Sequence, residues 1–158
     1  MRHCRRRKIK CGGQMNNEDF LQLALFAKET AKKKNTILPP SFMKEVKGIF
    51  YDGCVERGAG SSFRAQAHAH NSTTDKYFGW ICVRGSNSKT LSRKLGVIVQ
   101  NSNGQMEIIK PSQTLIHEYA HILTPDHWHD DAWRQKMREL GQPIGQQYQK
   151  KPRTIKKR

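Results

Sequence analysis

The stretch HEYAHILTPDHWHDDAW, His117 to Trp133, gathers four histidines and four acidic residues into seventeen positions. Its first five residues, His117-Glu118-Tyr119-Ala120-His121, read H-E-x-x-H. On a helix, residues four apart stand one above the other, so His117 and His121 can aim two imidazoles at one ion. Glu118 then projects close enough to polarise a water held at that ion and to act as general base. Once protonated, the same carboxylate can pass the proton to a leaving amine. The chemistry this pattern serves is hydrolysis assisted by one Zn2+ ion.

A catalytic zinc takes a third protein ligand and keeps one open position. His127, His129, Asp126, Asp130 and Asp131 are the candidates. His127 lies six residues past His121, which is similar to the metzincin spacing H-E-x-x-H-x-x-G-x-x-H. Thr124 stands where that pattern has the glycine that turns the chain back. His129 stands at the head of a last predicted helix, whose Trp133 and Met137 would anchor it in the core. On the residues alone His129 and His127 both stay open as the third ligand. The aspartates read as caps, surface carboxylates, or partners that orient an imidazole.

HEYAH, a short gap ILTPDHW, then HDDAW and RQKMRELG together resemble the SprT-like zinc metallopeptidases and their small zincin relatives. The likeness covers mainly residues 112–141. It implies that His117, His121 and His129 hold the zinc, that Glu118 is the catalytic base, and that Trp133 is the packing aromatic. Asp130 stands where that family often has glycine and is assigned to packing or to orienting a ligand. The resemblance implies an α+β, zincin-like domain. Its expected parts are an N-terminal helix, a small mainly antiparallel sheet, the H-E-x-x-H helix and a C-terminal helix. It also implies a protein or peptide substrate, bound along a sheet edge and associated with nucleic acid.

The elements that must position these residues can be read from periodicity. Residues 16–34 predict a helix capped by Asn16 or Asn17, with Phe20, Leu23, Ala24, Ala27 and Ala31 on one face. Residues 41–50 predict a short second helix. In residues 61–70, Phe63, Ala65, Ala67 and Ala69 alternate with Arg64, Gln66, His68 and His70, a strand with one wet face. His68 and His70 share that face and could hold a metal, but exposed or cleft-lining histidines are the preferred reading. Residues 77–83 and 95–100 predict strands, and 105–109 a strand completing a hairpin across Asn101–Gly104. Ser112 predicts the cap of the motif helix, which Pro125 ends. VRGSNSKT is not a phosphate-binding loop, which leaves no case for a nucleotide hydrolase.

The 158 residues carry a formal net charge of +16, unevenly spread. Residues 1–12 and 150–158 hold six Lys/Arg each and no acid, leaving 17 basic against 13 acidic residues between them. The expected organisation is a basic arm (1–15), the catalytic domain (16–145) and a basic tail (146–158) with nothing to pack. Arg5, Arg6, Arg7, Lys150, Lys151, Lys156, Lys157 and Arg158 are the candidate contacts to nucleic acid or another polyanion. There is no apolar run long enough to span a membrane and no recognisable secretory signal. Cys4 and Cys11, with six residues between them, have no standard zinc spacing, and Cys54 and Cys82 read as free core cysteines in a reducing, intracellular compartment.

Two other classes fit the same composition. One is a structural protein associated with nucleic acid or a particle, its zinc site structural or vestigial. The other is a hydrolase of small amides or peptidoglycan stems. Tyr77, Tyr119 and Tyr148 are the candidate transition-state donors.

Overall fold

The structure, a computed structural model, describes residues 35–151. Along them run β1 (Thr36–Ile37), β2 (Gly48–Tyr51), β3 (Gly53–Cys54), β4 (Gly58–Ala59), β5 (Ala67–Ala69), β6 (Trp80–Val83), α1 (Ser88–Leu95), β7 (Gly96–Gln100), β8 (Met106–Pro111), α2 (Gln113–Leu123), α3 (Asp131–Glu139) and a 3-10 turn, Gln146–Tyr148. The predicted helix 16–34 lies outside the described residues.

GIFY (β2) and WICV (β6) are short apolar runs without polar alternation, and they lie side by side in parallel. A parallel pair needs cover on both faces, which is why neither strand shows a wet side. The sheet order is β1-β2-β6-β5, with β1 and β5 antiparallel to their neighbours. Ile49, Ile81, Val83 and Ala67 face one way, into the main core with Leu91 and Leu95 of α1, Leu115, Tyr119 and Ile122 of α2, and Ile108 of β8. Phe50 and Cys82 face the other way, into a smaller cluster with Cys54, Val55, Phe63, Tyr77 and Trp80. The helices thus cover one face of the sheet. The β3–β4 hairpin and its neighbouring loops cover the other. β7 and β8 form a separate hairpin.

The fold is α+β, with three α-helices and small mixed sheets among the described residues. Three local expectations change. The strand expected over 61–70 is limited to Ala67–Ala69, and residues 61–66 are irregular. Residues 41–50 form tight turns and then β2. Met43 and Val46 are both buried three residues apart, which imitates a helical period, but the run from Gly48 is claimed by the parallel pair. The helix α1 was not anticipated. Its signals are Asn87, whose side chain accepts from the Thr90 amide at 2.8 Å, and Leu91 and Leu95, buried four residues apart. Among the described residues no helix is long and apolar enough to cross a membrane.

Ser112 caps α2 as expected, its hydroxyl accepting from the Leu115 amide at 3.1 Å. The same hydroxyl donates to the Lys94 carbonyl, and the Ser112 amide donates to the Leu95 carbonyl at 2.9 Å. The start of the motif helix is therefore tied to the end of α1. Ser112→Ala should lower stability by about 1 kcal/mol in urea unfolding; an unchanged midpoint would show that the cap carries no weight.

Candidate metal centre

His117 and His121 lie one turn apart on α2, and α3 returns His129 to them. The His129 Nε2 is 2.9 Å from that of His117 and 3.1 Å from that of His121. The three histidines form a group whose ligand atoms lie within 4.8 Å of one another. Burial, then the neighbouring imidazoles, pull both His117 and His121 down to about 4. His129 is lowered too, chiefly by burial. Neutral imidazoles whose nitrogens converge in this way direct lone pairs at one point, and a cation there satisfies them. The donor set fits a metal.

Trp133 is fully buried beneath this group. Its ring lies 4.7 Å from His117, 4.6 Å from His129 and 5.4 Å from His121, stacked on the last. This is the packing role expected for it. Asp130 caps α3, accepting from the Trp133 amide at 3.2 Å, and holds the exposed His127 through Nδ1 at 2.7 Å. It therefore orients the histidine that stays outside the group.

The choice of His129 over His127 has a local cause. Thr124 does not turn the chain as a glycine would; its hydroxyl donates back to the Ala120 carbonyl at 2.7 Å. The turn comes two residues later, at Asp126, whose φ of 62° is in the left-handed region that aspartate tolerates. Thr73 and Asn71 hold this loop. The Thr73 hydroxyl donates to Asp126 at 2.8 Å, and the Asn71 amide group donates to the His127 carbonyl at 2.7 Å. The delayed turn carries His127 outward and brings His129 in.

Glu118 is buried and lines a cleft of about 440 Å³ together with His117, Ala67, Trp133 and Tyr148. Burial pushes its carboxyl up to about 8, against a hydrogen bond from the Ala69 backbone that lowers it. A dication beside it acts in the same lowering sense.

Tyr148 corrects the expectation that nothing after Gly145 packs. Its ring lies 4.0 Å from that of His129 and 5.2 Å from that of His117. Arg134 joins these parts, donating to the carbonyls of both His129 and Tyr148 and to Asp131. Tyr119 points away, its hydroxyl donating to Glu45 at 2.6 Å. Tyr77 lies beside His70 instead.

His68 and His70 also depart from expectation. They do not face water: His70 is buried, His68 is half-buried, and both approach Cys54. The sequence separates Cys54 from these histidines too widely for a spacing to show; the packing of the β3–β4 hairpin on the sheet joins them. Of the basic residues, Lys150 pairs with Asp131 at 2.6 Å and Lys151 is exposed. Arg5, Arg6, Arg7, Lys156, Lys157 and Arg158 lie outside the described residues.

His129→Ala should weaken metal binding by more than the roughly 10–100-fold typical of losing an outer partner. His127→Ala should leave it unchanged. Titration with a competing chelator reads both, and equal losses would overturn the distinction. No family model, curated protein or solved structure matches this chain.

Proposed function

We propose that the protein is a zinc-dependent metallopeptidase of the SprT-like kind. The observation that carries this reading is the convergence of three histidines on one point, one of which, His117, lines a cleft with the buried Glu118 beside the sheet-edge residue Ala67. Zinc, when bound, supplies Lewis acidity that activates water and polarises a carbonyl. Glu118 takes the proton of the attacking water and delivers it to the leaving amine. Burial raises this carboxyl and a bound dication lowers it, and these opposed effects tune it for the two proton transfers.

The substrate chain lies along β5. Among the described residues β5 pairs on one side only. The ladder to β6 runs through Gln66 and His70, so Ala67 and Ala69 turn their amides and carbonyls outward. The Ala69 backbone meets Glu118, which leaves Ala67 for an added strand. β6 (Trp80–Val83) is internal, between β2 and β5, and offers no free edge. Tyr148 lines the same cleft, and its phenol is the donor to charge developing on the carbonyl oxygen. A protein substrate held on nucleic acid suits the basic ends of the chain.

Glu118→Gln should retain metal and fold but lower kcat on an unfolded protein substrate by at least about 100-fold. Full activity in that variant would remove Glu118 as the base. Tyr148→Phe should lower kcat by about 100-fold with metal content unchanged. A rise in KM alone would instead make Tyr148 a substrate-binding residue.

A further inference from the structure

We infer that Cys54, His68, His70 and Cys82 form a second metal site, closed and structural, that takes a zinc-class dication. The four side chains come from β3, from β5 and the residue after it, and from β6, on the sheet face away from the helices. His68 and Cys82 are direct register partners. All four ligand atoms lie within 4.8 Å of one another.

Three edges of the group, those joining Cys54, His68 and His70, match a tetrahedron, and the Cys82 sulfur lies within 4.8 Å of all three. Zinc at about 2.0–2.1 Å from nitrogen and about 2.3 Å from sulfur requires N–N edges of about 3.3 Å and S–N edges of about 3.5 Å. The His68 and His70 Nε2 atoms are 3.3 Å apart, and they lie 3.5 and 3.4 Å from the Cys54 sulfur. Four protein donors complete the shell and leave no open position, which is the form of a structural site.

The surroundings prepare the donors for this task. His70 Nδ1 is 2.6 Å from Asp75 Oδ2, so its proton sits on Nδ1 and its Nε2 lone pair faces the group. Asp75 is itself fixed by the Tyr77 amide at 2.8 Å. The Val55 amide donates to the Cys82 sulfur at 3.3 Å, as it would to a thiolate. Cys54 follows Asp52 and Gly53, at φ 57° and 145°. A Cβ on Gly53 would meet the Gly58 carbonyl at 2.4 Å, so the backbone bend that presents Cys54 depends on glycine. Neither cysteine is in a disulfide.

The site also meets a need of the fold. The parallel β2–β6 pair requires its second face covered, and among the described residues no helix lies there. In a small domain a metal can staple a hairpin where apolar area is short. The ion joins the β3–β4 hairpin to β5 and β6, and so fixes the strand that meets Glu118.

The test is metal analysis and cobalt spectroscopy on the untagged full chain, purified under reducing conditions. The parent should hold two zinc equivalents. His117→Ala/His121→Ala should keep one, and after exchange to cobalt should show a thiolate-to-cobalt charge-transfer band. Cys54→Ser/Cys82→Ser should lose that band and one equivalent. If the His117→Ala/His121→Ala protein holds no metal, or its cobalt form lacks the thiolate band, the proposal is overturned, whether or not the cysteine variant folds. A Cys54–Cys82 disulfide found by mass spectrometry in the parent would overturn it too. None of these readouts depends on peptidase activity, so the two assignments fail separately.

Discussion

The approach of α2 to β5 is the constraint on which both histidine groups depend. A helix can lie close against a strand only where the facing side chains are small, and here they are Ala67 and Ala69. That closeness lets the Ala69 backbone reach Glu118, a carboxyl otherwise buried in an apolar layer. Burial alone would hold such a group protonated, and a single backbone amide is a modest counterweight. The open side of β5, the depth of Glu118 and the direction of His117 are therefore consequences of one contact.

A second dependence runs through Arg134. One guanidinium holds the carbonyl of His129, at the start of α3, and that of Tyr148, fourteen residues after Arg134. Its Nη1 donates to both carbonyls while its Nη2 donates to Asp131, a fixed set of donors that a lysine lacks. The third imidazole and the wall of the cleft are set by the same side chain, while Trp133 supports all three imidazoles from below.

Much of the candidate centre was legible because it is local. The H-E-x-x-H spacing, the Ser112 cap, the stop at Pro125 and the anchoring by Trp133 all lie within about two dozen residues of sequence and obey helical geometry. His129 was also within reach, since it precedes an acidic cap and an apolar helix face. The delayed turn at Asp126 was not, because left-handed geometry in an aspartate leaves no mark that distinguishes it from a surface residue. The strand at 48–51 was hidden by Met43 and Val46, whose spacing suits a helix as well as two turns. Cys54, His68, His70 and Cys82 were each visible but were assigned separately. Nothing in the linear order says that β3 folds over the β5–β6 pair. The packing of Tyr148, named only as a candidate donor, was hidden for a related reason: its partners His117, His129 and Trp133 lie on other elements, and its own segment is polar.

The alternation of β5 has a consequence for which changes of length the chain can absorb. Within residues 67–70, odd positions face the helices and even positions face Cys54 and Cys82. One residue inserted or deleted there would exchange the two sets. Imidazoles would be driven against α2, and alanines would be left facing two thiols. Residues 61–65, a loop with most positions exposed, can take up such a change without transposing anything. Residues 66–70 thus behave as a reading frame for the whole sheet, tolerant of lengthening up to Ala65 and intolerant from Gln66, whose carbonyl already accepts from the Arg84 amide.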